Sequence, residues 1–329
     1  MEAEVYNQST FLILKAAYLY YLKDKQQNEI ADMLNISVPT VSRLIKKAKE
    51  EKIVEFVIRN PYIDCLDMEE KLKKAFNLRD VVVAPIPSLG TENAYLDLNN
   101  NVNKLVALEG ARYIQRIISE KDVLGISWGK TMYNLIHYLN PCQKVNATFV
   151  TMHGSISGCH QDMDVKTLVS RMAMSFGGKN YFLLTEGLMS NAEAARYVRN
   201  EKNVRKVFDI FNQITISLTS VGSFYPNMDS LLYKQGGYLT NSEINQLKSK
   251  GLVGDIILRF IDSDGNECDT DLRERTVGIG LDVFKNIKTK ITIASGETKA
   301  YALKSALKGG LIDILIIDYN LGKRLLDIK

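Results

Sequence analysis

Residues 124–131, LGISWGKT, place a glycine turn directly before a lysine and a threonine, and these residue types bind phosphate groups. The phosphate loop of nucleotide-hydrolysing proteins has the spacing G-x-x-x-x-G-K. Here Gly125 and Gly129 enclose only three residues, one of which is the bulky Trp128. The turn is therefore too short and too crowded to wrap a polyphosphate, but it could still bind a single phosphate.

Two more groups of residues combine a glycine with side chains that bind anions or hydroxyl groups. They are His153, Gly154 and Ser155, and Gly296, Glu297 and Lys299. Asp255 is a further candidate residue at a predicted strand end. A glycine at the start of a helix leaves backbone N–H groups free at the positive end of the helix dipole, where an anion is stabilised. Lys130 or Lys299 could pair with a phosphate, and Asp255 could accept hydrogen bonds from sugar hydroxyls.

Short apolar strands that alternate with helices must position these residues. The predicted strands are VVVAPIP (81–87), VLGIS (123–127), TFVTMHGS (148–155), YFLLTE (181–186), ITISLTSVG (214–222), VGDIILRFID (253–262), KITIAS (290–295) and IDILIIDY (312–319). Helices are expected over 93–118, after Thr131 and over 164–176. Strands that are apolar on both faces predict a mostly parallel sheet with helices on both sides, and such sheets bind ligands at the carboxyl ends of their strands.

Each of these residues also has a purely structural explanation. Gly296 could simply form a turn, and Trp128 could belong to the core or to a pocket wall. Asp255 could cap a strand or form an ion pair with Arg273 or Arg275. From the residues alone, these alternatives stay open beside the ligand-binding interpretation.

Catalytic roles are disfavoured by the local sequence. Ser127, His153 and Asp255 could suggest a nucleophilic triad, but Ser127 lacks the G-x-S-x-G turn that exposes a nucleophilic serine. Lys299 could form a Schiff base, but nothing near it marks a desolvated amine. We therefore predict a binding site that has no catalytic residues.

The N-terminal stretch QQNEIADMLNISVPTVSRLIKKAKEE (26–51) predicts two helices that are joined by a tight turn. Ala31 is small where the two helices would cross, and Asn35 tolerates the left-handed conformation of a tight turn. Ser37 can cap the second helix, and Pro39 then occupies its first turn, where a missing N–H costs nothing. These features are typical of a helix-turn-helix.

The second helix of this pair exposes small or polar residues at its start and basic residues further along. They are Ser37, Val38, Pro39, Thr40, Ser42, Arg43, Lys46 and Lys47. Such a surface suits a helix in the major groove of double-stranded DNA, although an ordinary helical hairpin with a solvated basic face is the alternative. A packing helix over 10–23 precedes the pair, the alternating segment 52–59 is expected to form a strand as a short wing, and a helix over 64–78 follows.

The 329 residues are 46% hydrophobic, which suits a small domain joined to a larger one. The net charge of +4 is too mild to indicate nucleic-acid binding by itself. No apolar run approaches the roughly 18 residues of a membrane span, and the N-terminus is acidic and polar, unlike a signal peptide. Four dispersed cysteines and three histidines lack the spacing of a metal site. We expect a cytoplasmic protein without a metal ion or cofactor.

Taken together, the motifs resemble the SorC family of bacterial transcriptional regulators over about residues 10–328. The matching segments are EIADMLNISVPTVSRLIKKA, GISWGKT, HGS, GLVGDIILRFIDSDG and IASGETKAYALKSALKGGLIDILIIDYNLGKRLL. The last two segments are the most specific to the family.

The resemblance implies an α/β protein with a winged helix-turn-helix at 1–59. At 60–329 it implies a larger Rossmann-like effector domain with a mostly parallel sheet, similar to phosphosugar isomerases. Family members bind phosphorylated sugars or similar phosphorylated metabolites and are usually tetramers on DNA. We therefore expect a homo-oligomeric repressor, a dimer or tetramer, whose binding to operator DNA is controlled by a phosphorylated sugar. The alternative is a sugar-phosphate isomerase or deaminase with a DNA-binding appendix.

The same motifs give the expected effector contacts. They are Ser127, Gly129, Lys130, Thr131, His153, Gly154, Ser155, Asp255, Gly296, Glu297 and Lys299. By resemblance, the two glycine loops hold the phosphate and Asp255 contacts the sugar. Proton abstraction beside a carbonyl needs a placed base, and His153 is the only histidine at a predicted strand end. We therefore expect binding without catalysis.

Overall fold

Two compact units, Met1–Asn60 and Pro61–Lys329, make up the chain. The computed structural model describes residues 8–56, 62–85, 95–158, 160–233 and 238–328. The described part of the first unit consists of the helices α1 (Gln8–Tyr21), α2 (Gln27–Leu34) and α3 (Val38–Glu50). Their shared core contains Ala16, Leu19, Ile30, Ala31, Val41 and Ile45. Helices this short are marginal in isolation, so this buried face stabilises all three.

The turn between α2 and α3 has the geometry that the sequence predicts for a helix-turn-helix. Asn35 is left-handed (φ 54°), and its backbone N–H donates to carbonyls of α2. Oγ of Ser37 accepts a 3.3 Å hydrogen bond from the backbone N–H of Thr40, and Pro39 lies in the first turn of α3. The two helices and their tight turn are therefore confirmed.

The segment after α3 does not form the strand that the alternating pattern predicts over 52–59. Residues 51–56 are turns, bends and irregular backbone, and residues 57–59 lie outside the described residues. The backbone N–H groups of Ile53 and Val54 both donate to the carbonyl of Ala48, at 2.9 and 3.1 Å. Because these N–H groups cap the end of α3, they are not available to a strand ladder, and the prediction is wrong for 52–56.

Strands alternate with helices in the second unit, as predicted. The helices are α4 (Tyr62–Phe76), α5 (Tyr95–Ile117), α6 (Lys130–His137), α7 (Val165–Phe176), α8 (Ala192–Asn200), α9 (Lys202–Phe211), α10 (Asn241–Ser249), α11 (Asp271–Arg275), α12 (Leu281–Lys285), α13 (Ala300–Lys308) and α14 (Tyr319–Asp327). The strands are β1 (Asp80–Ala84), β2 (Val123–Ile126), β3 (Thr148–Thr151), β4 (Lys179–Tyr181), β5 (Ile216–Thr219), β6 (Val221–Ser223), β7 (Gly254–Ile256), β8 (Arg259–Ile261), β9 (Thr289–Ala294) and β10 (Ile314–Asp318).

Seven of these strands form one parallel sheet in the order β1-β10-β9-β5-β2-β3-β4. Every residue of β5 and β10 is buried, as expected for a sheet that is covered on both faces. In β10, Ile314 and Ile316 join one apolar cluster, whereas Leu315 and Ile317 join another. The predicted α/β class with a mostly parallel sheet is confirmed.

Strands β6, β7 and β8 form a separate antiparallel sheet. The segment 253–262, predicted as one strand, is the hairpin β7–β8, because Ile257 and Leu258 are both left-handed. Asp255 therefore lies inside β7 and does not follow a strand of the parallel sheet.

Three other predicted strands differ from the structure. The segment 214–222, predicted as one strand, forms β5 and β6, which belong to different sheets. The strand predicted at 181–186 is largely wrong, since β4 ends at Tyr181. The strand predicted at 81–87 is present as β1, which ends at Ala84, and residues 86–94 lie outside the described residues.

Candidate functional site

A cavity of about 760 Å³ lies at the carboxyl ends of β2 and β9 in the second unit. Its walls come from the loops that follow these strands, 127–131 and 295–299, and from α5, the small antiparallel sheet and residues 229–230. Strands β2 and β9 both flank β5, so their carboxyl ends lie side by side at one edge of the sheet. Parallel α/β sheets bind ligands at this edge.

Eight of the residues that the sequence suggests for an effector site line this cavity. They are Ser127, Gly129, Lys130, Thr131, Asp255, Gly296, Glu297 and Lys299. The structure therefore brings the two glycine loops and Asp255 together around one space. Their contact with a ligand stays a prediction.

His153, Gly154 and Ser155 do not line the cavity, which corrects the expectation that the HGS segment belongs to the same site. His153 is completely buried, and its Nδ1 donates a 2.8 Å hydrogen bond to the carbonyl of Gly154. Burial lowers the pKa of His153 to about 4, so the ring is neutral near pH 7. A Cβ at Gly154 would lie 2.5 Å from the carbonyl oxygen of Thr185, so this glycine permits the close approach of two backbone segments.

The N-terminus of α6 borders the cavity. Gly129 precedes the helix with φ 112°, a conformation that glycine adopts readily, and it has no side chain that could cap the helix. Ser127 is 2% exposed, and its Oγ has no hydrogen-bond partner among the described residues. Lys130 is exposed at the first position of the helix. A buried hydroxyl beside an uncapped helix N-terminus is an arrangement that a bound anion would satisfy.

The loop after β9 is more acidic than its sequence suggests. The backbone N–H of Gly296 already donates a 2.8 Å hydrogen bond to Oδ2 of Asp318, the residue that also caps α14. Lys299 interacts with the carboxylates of Asp229, Asp255 and Asp318, which oppose the lowering of its pKa by desolvation. Lys299 therefore already interacts with carboxylates of this chain.

Asp255 is buried in the wall of the cavity. Its Oδ1 accepts a 2.7 Å hydrogen bond from the hydroxyl of Tyr233. Burial raises the pKa of Asp255 to about 6, although Tyr233 and Lys299 oppose this effect. The alternative pairing with Arg273 or Arg275 is wrong, because those side chains form ion pairs with other carboxylates.

Asn103 on α5 is a cavity residue that the sequence analysis missed. Its Nδ2 donates to Oγ of Ser295 at 2.9 Å and lies 3.4 Å from Oγ1 of Thr131. Its Oδ1 accepts a 2.5 Å hydrogen bond from Nδ2 of Asn134. Asn103 thus connects the start of α6 to the loop after β9. Other cavity residues that were not predicted include Asp229, Ser230, Ser220 and Ile257.

In the first unit, α3 exposes the residues that the sequence suggests for DNA contact. Ser37, Val38, Pro39, Ser42, Arg43, Lys46 and Lys47 are exposed, and Thr40 is partly buried. Nζ of Lys46 lies 3.8 Å from Glu50 and Nζ of Lys47 lies 3.3 Å from Glu51, so both lysines have acidic neighbours one turn away.

In the described part of the chain, no helix is long and apolar enough to cross a membrane. Within the same residues, no group of three or more His, Cys, Asp and Glu side chains could hold a metal ion. Cys65 and Cys268 are buried free thiols, Cys142 is exposed, and Cys159 lies outside the described residues.

Residues 60–327 match the model of the Sugar-bind family, described as "Putative sugar-binding domain". The chain is 30% identical over 318 residues to the deoxyribonucleoside regulator of Bacillus subtilis, covering 96% of this chain and 97% of that protein. It is 27% identical over 317 residues to the sorbitol operon regulator of Klebsiella pneumoniae, with coverage of 96% and 97%.

The fold is similar to the crystal structure of the full-length sorbitol operon regulator SorC from Klebsiella pneumoniae. The TM-score is 0.73 at 26% sequence identity, and the match covers 97% of this chain and 99% of that one. The similarity therefore extends over both units of the chain.

Proposed function

Because the chain belongs to the SorC family of bacterial transcriptional regulators, we propose that its cavity binds a phosphorylated sugar, or a similar phosphorylated metabolite, which controls binding to operator DNA. The protein is a transcriptional regulator with a sugar-binding domain.

The buried hydroxyl of Ser127 carries this proposal. Leaving a buried hydroxyl without a partner costs about 1–3 kcal/mol, and Ser127 lies in the turn that leads into α6. A phosphate at this point would accept hydrogen bonds from Ser127 and from N–H groups at the start of α6, and it would gain from the helix dipole. Gly129, Lys130 and Thr131 would complete this end of the site.

The opposite wall suits the sugar better than the phosphate. Asp229, Asp255 and Asp318 interact electrostatically with Lys299, so a phosphate placed beside this lysine would also be repelled by carboxylates. Carboxylates accept hydrogen bonds from hydroxyl groups. Asp255 would therefore bind a sugar hydroxyl, while Gly296, Glu297 and Lys299 would border the sugar and hold the aspartates in place.

The proposed DNA contacts lie on α3. Ser37, Val38, Pro39, Thr40 and Ser42 would approach base edges, and Arg43, Lys46 and Lys47 would reach bases or phosphates. A homo-oligomer, a dimer or tetramer, would present these helices to half-sites about one DNA turn apart. The ligand would act by changing how the subunits pack against one another, and so the spacing of their α3 helices. We propose that the protein is a repressor that leaves operator DNA when the ligand binds.

Catalysis is not part of this proposal. A sugar-phosphate isomerase needs a base beside the carbonyl of its substrate, and His153 lies outside the cavity lining. The relatives named above are transcriptional regulators.

A paired ligand screen tests the proposal. We expect pentose and hexose phosphates to raise the melting temperature of the protein, whereas the matching free sugars and inorganic phosphate do not. The stabilising compound should also release the protein from a DNA site that the protein itself selects from a random pool, as measured by fluorescence anisotropy. Equal stabilisation by free sugars would contradict the phosphate site. Turnover of fructose 6-phosphate or glucosamine 6-phosphate would instead support the enzyme alternative.

A further inference from the structure

The outward side chains of α3 differ in how far they are already engaged within the chain. Oγ of Ser37 and Oγ1 of Thr40 form a 2.8 Å hydrogen bond with each other, and Oγ of Ser37 also accepts from the backbone N–H of Thr40. Lys46 and Lys47 each form an ion pair with a glutamate four residues further along the helix. These four side chains are therefore partly satisfied before DNA binds.

Arg43 is exposed on α3 and forms no ion pair with an acidic side chain among the described residues. Its Nη2 lies 3.5 Å from Oγ1 of Thr40. Lys49 also lacks an ion pair within the same residues, but its Nζ lies 4.9 Å from the centre of the Phe56 ring. The guanidinium group of arginine presents its N–H donors in a fixed planar fork, which matches the O6 and N7 acceptors of guanine. A lysine ammonium group acts as a point charge and suits phosphates.

An exposed apolar surface begins α3. Val38 is 42% exposed, and Pro39 beside it is exposed as well. In the major groove, the C5 methyl group of thymine is the apolar group that such a surface can contact. Arg43 follows Pro39 by four residues, so the two lie on one face of the helix, about 6 Å apart along its axis. Because base pairs stack about 3.4 Å apart, this distance corresponds to about two base pairs.

Resting on the proposed function, we infer that Arg43 reads a guanine, and that Val38 and Pro39 contact the methyl group of a thymine about two base pairs away in each half-site. Lys46 and Lys47 bind the phosphate backbone and carry no sequence preference. The protein therefore recognises its half-site through one fork of hydrogen bonds and one methyl contact.

Small chemical changes in the DNA test the two contacts separately. Wild-type protein first selects a site from a random pool. That site is then synthesised with 7-deazaguanine at each guanine in turn, which removes the N7 acceptor, and with uracil at each thymine in turn, which removes the C5 methyl group.

The proteins compared are wild type, Arg43→Ala, the double variant Val38→Ala with Pro39→Ala, and Lys46→Gln as the control. Alanine suits the first turn of a helix, and thermal melts establish that each variant is folded. Fluorescence anisotropy measures the dissociation constant of each protein for each DNA.

We expect 7-deazaguanine at one position of each half-site to weaken binding by wild type about tenfold and to have no effect on Arg43→Ala. Uracil about two base pairs from that guanine should weaken binding by wild type about fourfold and have no effect on the double variant. Lys46→Gln should keep both losses in full, because a phosphate contact is independent of the bases.

Two kinds of failure are distinguishable. If every modified site bound wild type with full affinity, or if the losses persisted in Arg43→Ala and in the double variant, the inference would be overturned. The proposed function would stand, because the protein would still select a site. If wild type enriched no site from the random pool, the proposed DNA contacts would fail, and the inference with them.

Discussion

The hydroxyl of Tyr233 donates a 2.7 Å hydrogen bond to Oδ1 of Asp255, and both side chains are buried. This hydrogen bond favours the carboxylate form, but burial dominates and raises the pKa of Asp255 to about 6 from its ordinary value of 3.8. Between about pH 4 and pH 6, Asp255 therefore binds more protons in the folded protein than in the unfolded chain. The contribution of Asp255 to the free energy of unfolding falls as the pH rises through this window, whereas the lowered pKa of His153 has the opposite effect.

Asp255→Asn should remove this loss of stability. At pH 7.5, we expect the free energy of unfolding of the ligand-free variant to exceed that of wild type by about 1–3 kcal/mol. Well below pH 4 the difference should vanish, because Asp255 is then protonated in both states. Urea denaturation at several pH values measures the effect, with Asp209→Asn on the exposed surface of α9 as the control. A difference that does not change with pH would contradict the assigned shift.

Ser127→Ala should separate binding from stability. Removing a buried hydroxyl that lacks a partner should leave the free energy of unfolding unchanged or raise it by about 1 kcal/mol. The same change should weaken binding of the stabilising sugar phosphate about tenfold, because one hydrogen bond to the phosphate is lost.

Ser217→Ala is the matched control for this change. Oγ of Ser217 is also buried and unpartnered among the described residues, but Ser217 lies in β5 and is not part of the cavity lining. The control should change stability in the same direction and leave ligand affinity as it is. Equal ligand affinity in both variants would remove Ser127 from the phosphate site.

Signals that act over a few residues were sufficient to predict the helix-turn-helix and the sheet. The left-handed Asn35 and the cap at Ser37 are determined by neighbours within one turn. Strands that are apolar on both faces, such as β10, indicate a parallel sheet that is covered on both sides. In such a sheet the loops after neighbouring strands lie at the same edge, so the sheet also predicts which loops meet.

The features that sequence reasoning missed depend on distant partners. Ile257 and Leu258 form a turn without the residues that signal one, because burial of both side chains offsets the strain. Asn103 is one of several asparagines in α5, and only the fold places it between two loops. The HGS segment has glycine because backbone segments approach there, a constraint that no local pattern reveals.

Asn103→Ala should loosen the link between the start of α6 and the loop after β9. The variant loses the hydrogen bond to Ser295 and leaves Nδ2 of Asn134 without its acceptor. We expect a loss of about 1–3 kcal/mol in the free energy of unfolding and at least tenfold weaker ligand binding.

Asn191→Ala controls for the loss of stability. Asn191 caps α8 away from the cavity, so its replacement should cost about 1 kcal/mol and leave ligand affinity unchanged. Parallel urea denaturation and calorimetry on the two variants measure both quantities. If Asn103→Ala bound the ligand as tightly as Asn191→Ala, Asn103 would have a purely structural role.

Arg43→Ala should reduce the sequence preference of the protein for DNA. The side chain is exposed on α3, and Nη2 lies 3.5 Å from Oγ1 of Thr40, a contact too long to hold it firmly. If Arg43 binds a base through two hydrogen bonds, its loss costs about 1–3 kcal/mol at the selected site and much less on random DNA. Lys46→Gln should instead weaken binding to the selected site and to random DNA by the same factor. It should also reduce the salt dependence of the binding constant by about one counterion. Fluorescence anisotropy titrations at several salt concentrations distinguish the two. Unchanged affinities for both DNAs in Arg43→Ala would rule out Arg43 as a residue that reads a base.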